Sequence, residues 1–172
     1  LRQSRGFFRW AGVNTDSRKR MSGGMWFNYS NYDGGKSKGL SLDPYVNFIL
    51  SPQFQLNVGF GGSTNENNTQ WFDNFVDGSG VTHHTFAHLD QRTRYASVRL
   101  NYTATKDLTL EMYAQPFVAT GVYTDLRELS ADPEAENYDD RFQPYTALTL
   151  NSTNHNFKVT EVITNSVVRW EY

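Results

Sequence analysis

A chain of 172 residues is long enough for one ordinary domain, and a net charge of −2 excludes a nucleic-acid binder held by general electrostatics. Mean hydropathy is −0.63, and no apolar run approaches the ~20 residues of a membrane-spanning helix. Cysteine is absent, which excludes disulfides and thiolate metal sites.

Taken in chain order, the sequence is nearly free of helical periodicity. Apolar–polar alternation predicts strands at 4–14, 20–32, 39–51, 53–65, 91–104, 107–122 and 160–172. Several of these reach about 12 residues, where a strand of a globular protein has about 5–6 and a membrane-crossing strand about 9–11. The connections at 14–19, 51–52 and 105–107 are short, that at 33–39 is intermediate, and those at 63–90 and 124–157 are long. Tight turns at one end of a sheet and long loops at the other are the habit of up-and-down outer-membrane barrels.

Each strand has two unlike faces. In "QFQLNVGFGG" (53–62), Phe54, Leu56, Val58 and Phe60 share one face, and Gln53, Gln55, Asn57, Gly59 and Gly61 the other. Leu42, Pro44, Val46, Phe48 and Leu50 oppose Asp43, Tyr45 and Asn47. Ala96, Val98, Leu100 and Tyr102 oppose Tyr95, Ser97, Arg99 and Asn101. Leu108, Leu110, Met112, Ala114, Pro116 and Val118 oppose Thr109, Glu111, Tyr113 and Gln115; Val168, Trp170 and Tyr172 oppose Arg169 and Glu171. An arginine facing lipid at mid-membrane costs ~2–4 kcal/mol, and Arg99, Glu111, Arg169 and Glu171 all avoid the apolar face. Tyr102, Trp170 and Tyr172 fit an aromatic girdle at the short-turn end.

The fold expected is therefore all-β, an antiparallel up-and-down transmembrane β-barrel. Mean hydropathy does not oppose it, because alternating strands look soluble on average. Seven strands is an odd number and leaves two unpaired edges, which lipid does not tolerate. Residues 1–172 are thus expected to be a fragment of a single, larger barrel domain. The rival is a soluble β-sandwich of lectin-like or enzymatic type.

Four stretches carry a family resemblance: "LDQRT" (Leu89–Thr93), "LNYT" (Leu100–Thr103), "DLTLEMYAQPF" (Asp107–Phe117) and "RWEY" (Arg169–Tyr172). With "NYSNYDGGKSKGLSLDPYVNFILSPQFQL" from residue 28, they resemble a bacterial family of unknown function. The resemblance implies large outer-membrane proteins in which a secretion signal and a carbohydrate-binding module like those of family 9 precede a C-terminal barrel. Neither the signal nor the module is among these residues, and such proteins continue past "RWEY" into a turn and a further strand. The family supplies no activity to carry over.

Candidate chemistry is sparse. His83, His84 and His88 with Asp90 have ligand-type side chains, but the spacing matches no zinc motif. Asp132, Glu134, Glu136, Asp139 and Asp140 form an acidic loop without the ligand order of an EF-hand. Glu111 with Arg99 and Arg169 faces the expected lumen, where cross-strand charge pairing is expected and no nucleophile–base constellation accompanies them. Asp90 and Arg92 of "DQR" either brace the rim as a pair or meet a solute at the mouth. Trp71, Phe72 and Phe75 either stack on sugar rings or pin down the first long loop. The expected ligand-binding residues are therefore Trp71, Phe72, Asp90, Arg92, Arg99, Glu111 and Arg169, with no catalytic residue, metal or cofactor.

The function expected is a channel or translocation wall in the cell outer membrane of a Gram-negative bacterium, passing a polar solute such as a saccharide. The alternative is an anchor with a lumen plugged by Tyr45, Tyr95, Tyr113 and the loops, holding a surface carbohydrate-binding or glycan-hydrolysing domain. Expected partners are the lipid bilayer and the remainder of the same barrel.

Overall fold

The structure, a computed structural model, describes residues 4–148 and 155–171. Alternating sequence builds one antiparallel sheet of eight strands with up-and-down order. The strands are β1 (Phe7–Asn14), β2 (Met21–Tyr32), β3 (Ser37–Ser51), β4 (Phe54–Val76), β5 (Thr82–Thr105), β6 (Leu108–Leu129), β7 (Phe142–Pro144) and β8 (Phe157–Trp170). Strands β1 to β6 pair in sequence order. The short β7 and the long β8 then share the outer edge of β6, opposite Arg127–Leu129 and Leu108–Gly121 respectively. Among the described residues β1 and β8 do not pair, so the sheet has two open edges and is not closed.

Seven long strands appear where seven are expected, but the 63–90 segment is not a loop. It is the outer half of the β4–β5 hairpin, turned at 77–81. Asp77 Oδ1 accepts the amide protons of Ser79 and Val81, and Gly80 takes φ +81°, which a side chain would disfavour. Repeated Asn, Gln, Thr and Gly in 63–85 mimic a loop in composition, yet cross-strand pairing keeps them extended. Likewise β6 runs to Leu129, beyond the expected 122. At ~3.3 Å per residue, the 24 residues of β5 span about 80 Å, far more than a bilayer core needs.

Two regions differ in packing. From Leu108 up to the row of Ala11, Phe27, Leu42, Gly62, Arg94 and Val118, the sheet is a single layer among the described residues. Its one face carries Val13, Met25, Phe27, Leu42, Leu50, Phe60, Val98, Met112, Val162, Val168 and Trp170, all exposed. Among the described residues no second layer covers Phe54, Leu56, Val58 and Phe60, which are half-buried or exposed. Above that region the sheet is packed. The buried apolar side chains, Phe72, Ala87, Leu89, Ala119, Tyr138 and Phe142, all lie in or beyond the outer part of the sheet. Consecutive residues of a strand point to opposite faces. Ala87 is fully buried and Phe86 is half-buried against the Phe142 ring at 5.6 Å, so chain covers both faces there.

Candidate functional site

The face opposite the apolar one is a hydrogen-bonded polar surface. Its rows follow from the strand register: Trp10–Asn28–Ser41–Ser63–Thr93, then Gly12–Trp26–Asp43–Gly61–Tyr95, then Asn14–Gly24–Tyr45–Gly59–Ser97, then Ser22–Asn47–Asn57–Arg99–Tyr113–Asn165. Large side chains alternate with glycines across the strands. A Cβ on Gly61 would lie 2.7 Å from Asp43 Oδ1 and 2.8 Å from the Tyr95 hydroxyl, so the empty position lets the two meet across β4.

The polar groups on this face mostly satisfy one another. Tyr95 donates to Asp43 Oδ1 at 2.7 Å, and Ser41 donates to Asp43 Oδ2 at 3.1 Å while accepting from Asn28 at 2.9 Å. Tyr45 donates to Asn14 at 2.8 Å, Asn57 to Asn47 at 2.5 Å, and Tyr113 to Gln115 at 2.7 Å. The Arg99 guanidinium lies over the Tyr113 ring at 5.4 Å. Arg99 and Asn101 sit between two recesses, of about 240 and 250 Å³. One adds Glu111, Tyr113 and Asn165, the other Ser22, Asn47, Gln55 and Asn57. A surface of amides and hydroxyls with few charged groups, among them Asp43, Arg99, Glu111 and Arg169, offers many neutral hydrogen bonds and little net charge.

The expected inward charges divide. Arg99 and Glu111 line the same recess. Arg169 points to the same face at the short-turn end, opposite Thr109. The expected cross-strand charge ladder is not formed: among the described residues Arg99, Glu111 and Arg169 make no ion pair, because the register sets Arg99 opposite Tyr113 and Asn57, and Glu111 opposite Asn101.

The other expected ligand residues lie elsewhere. Asp90 and Arg92 pair at 3.2 Å, and both stand on the apolar-face side, just beyond its outer edge. They brace that rim and do not face the recesses. Trp71 is half-exposed near the hairpin tip, its indole N–H 3.4 Å from Asn74 Oδ1. Phe72 is 7% exposed, between Phe75, Tyr123 and His155, so its ring faces are taken by the chain itself. Tyr102 and Trp170 are exposed on the apolar face near the short turns; Tyr172 lies outside the described residues. His83, His84 and His88 each have a different partner, Glu128, Asn74 and Asn68, and among the described residues no metal-ligand group forms. In the acidic loop, Asp139 pairs with Lys36 and Asp132 accepts the Glu134 amide proton.

Sequence reasoning missed two groups. The first is Trp10 and Trp26, exposed on the polar face with ring centroids 5.9 Å apart, beside Asn28 and Asp43. Their parity within β1 and β2 was the available signal. The second is a network at the outer end, centred on Asn68. A bulge between Asn67 and Gln70 drops Asn68 out of the ladder and turns it inward. Its N–H donates to Ser37, its side-chain amide to Tyr138 at 3.1 Å, and its Oδ1 meets His88 at 2.9 Å. Its carbonyl accepts from Arg127 and Tyr138. Burial pushes the Tyr138 hydroxyl above its ordinary pKa. Arg127 also covers the Phe142 ring at 4.8 Å. Segment 130–148 thereby ties β6 to the far side of the sheet, where Arg141 donates to Ser4 at 2.9 Å and Asp139 meets Lys36.

Hairpin order, faces and register define an all-β, up-and-down antiparallel sheet protein with one apolar and one polar face. Within that class the chain belongs to the family described as domain of unknown function DUF5916, whose profile matches residues 1–165. No curated protein and no solved structure matches it.

Proposed function

We propose that this sheet is a wall of an outer-membrane β-barrel, its apolar face against hydrocarbon and its polar face toward a lumen that passes or binds a polar solute. One observation carries the reading. The apolar face is a band roughly nine to eleven residues tall on most strands, free of charge except for Arg94 in its outermost row, and a single layer of sheet leaves it bare. A bare band of that height has no stable state in water, where a sheet face needs a packed layer. The open edges of β1 and β8 are completed by the remainder of the same barrel, since unpaired strand groups are not tolerated in lipid.

The solute class is a neutral saccharide. Trp10 and Trp26 offer apolar ring faces, and the adjacent rows offer amides, hydroxyls and the Asp43 carboxylate. The test is conductance of the full-length protein in planar bilayers. A neutral oligosaccharide such as maltohexaose is expected to block the current, and Trp10→Ala with Trp26→Ala to relieve the block. A protein that stays folded and monomeric in detergent-free buffer would remove the membrane reading altogether.

A second reading has its own observation. Segment 130–148 bridges the outer end of the sheet through Tyr138–Asn68, Asp139–Lys36 and Arg141–Ser4. A strap in that place suits an anchor with an obstructed lumen that holds a surface carbohydrate-binding domain. A protein that needs detergent but conducts no ions would favour the anchor over the channel.

A further inference from the structure

The outer rim of the apolar band carries a cluster of cations that the polar face does not use. Arg92 on β5 is opposite Thr120 on β6, and Thr120 is opposite Lys158 on β8. Arg94 lies two residues along from Arg92, opposite Val118. All three cations stand on the same face as Val98, Leu100 and Met112: Arg94 in the outermost row of the band, beside Gly62 and Val118, and Arg92 and Lys158 one row beyond it. At ~4.8 Å between strands, Arg92 and Lys158 have Cα atoms about 10 Å apart, within joint reach of one phosphate for side chains of this length.

Their partners are few. Arg92 holds Asp90 through Nη2 at 3.2 Å and is 66% exposed, which leaves its other guanidinium donors free for a ligand. Arg94 and Lys158 are exposed, and their side chains make no hydrogen bond or ion pair among the described residues. Arg9 on β1 continues the same row through Tyr29, Leu40 and Thr64. The row of Arg9, Arg92 and Lys158 contains no acidic residue; Glu66 and Asp90 sit one row further out, with Lys38.

We propose that Arg92, Arg94 and Lys158, around Thr120, form a binding site for the phosphate of an anionic lipid headgroup in the leaflet that meets the outer edge of the band. The proposal rests on the membrane-wall reading above. Position selects a lipid over a soluble anion: the cations border surface that only lipid covers, and long cationic stems lie along apolar surface while their charges reach the headgroup layer. Guanidinium groups bind phosphate through paired N–H donors, and each cation near an anionic leaflet adds to the attraction.

The test uses the full-length protein in three kinds of vesicle: phosphatidylcholine alone, phosphatidylcholine with phosphatidylglycerol, and phosphatidylcholine with lipid A. Lipid retained after detergent extraction is measured by mass spectrometry. Wild type is expected to retain phosphatidylglycerol or lipid A selectively and saturably. The R92Q/R94Q/K158Q variant is expected to bind it on the order of a hundredfold more weakly. R92K/R94K, which keeps the charges, should retain most of the binding, and K106Q, at the opposite end of the sheet, should change nothing. Insertion into phosphatidylcholine without any headgroup preference, or an unchanged triple variant, overturns the site and leaves the wall reading standing. Failure to enter any of the vesicles overturns both. Equal displacement by millimolar inorganic phosphate would show a general anion site and overturn the lipid assignment.

Discussion

Tyr95 on β5 donates its hydroxyl hydrogen bond to Asp43 on β3 at 2.7 Å, passing over β4 at Gly61. Two strands are thus locked together across a third, on the polar face, by a bond that exists only because the middle position has no side chain. Gly61→Val is expected to break it and to destabilise the sheet by more than Tyr95→Phe. The latter leaves the carboxylate its Ser41 donor and costs about 1.5–3 kcal/mol, the range for a hydrogen bond to a charged group. Urea unfolding of the folded protein in micelles measures both. Equal, negligible effects would show that the bridge adds nothing.

The two faces of β4 make unlike demands on charge. Val58→Arg, in the middle of the apolar band, should destabilise the membrane-folded state by about 2–4 kcal/mol. Gln55→Arg, on the exposed polar face of the same strand, should cost less than about 1 kcal/mol, as surface substitutions generally do. The comparison is made by reversible folding into phosphatidylcholine bilayers. If the two variants are equally harmed, the apolar face does not meet lipid.

The tip of the long hairpin is pH-dependent. His83 Nδ1 lies 2.5 Å from Glu128 Oε2, and Nε2 lies 3.5 Å from Asp77. Glu128 above all, then Asp77, holds the imidazole above its ordinary pKa. His83 in turn, with Gln143, depresses Glu128, and the amides of Val81 and Ser79 depress Asp77. A raised histidine contributes stability in full below its unfolded value of about 6.5, and loses it as pH climbs through the folded value. The depressed carboxylates contribute above about 4.3, their unfolded range, and lose it as pH falls through their lower folded values. Amide protection of residues 77–85, corrected for intrinsic rates, should therefore be greatest from about pH 4.5 to 6.5. It should fall above neutrality in wild type and stay flat there in His83→Gln. Protection independent of pH in wild type would show the pair to be energetically idle.

Asn68 and Tyr138 act as one unit. Asn68→Ala removes side-chain bonds to Tyr138 and His88 from a buried position, and about 1–3 kcal/mol is expected. Tyr138→Phe should cost a similar amount, and the double variant less than the sum, because one bond is counted in both. Limited proteolysis within 130–148 is the local readout. Strict additivity would mean the two residues do not share a bond.

Alternation alone located the seven long strands and sorted the inner ones into an apolar and a polar face, because a period of two survives any register that pairs them. Where the strands ended was less legible. Residues 63–85 read as loop by composition, yet they are extended because β5 supplies partners that no local window contains. For the same reason Asp90 and Arg92 looked like lining residues of a mouth, and the ladder puts them on the opposite face from Arg99. The polar face had a different limit. Side chains such as Tyr95 and Asp43, 52 residues apart, are joined only by stacking two hairpin registers, β3–β4 and β4–β5.

What the sequence by itself determined is the two-faced sheet: which side of each long strand is apolar, and that charge is kept from it along the inner rows. Only the tertiary structure decided that the sheet is one bare layer in its band and a packed body beyond it, and that Asn68, Arg127, Tyr138 and Phe142 build that body. Side-chain alternation is a local property, fixed by backbone geometry at each residue. Layering and the bulge at Asn68 depend on which distant segments meet, and that information resides in the register between strands.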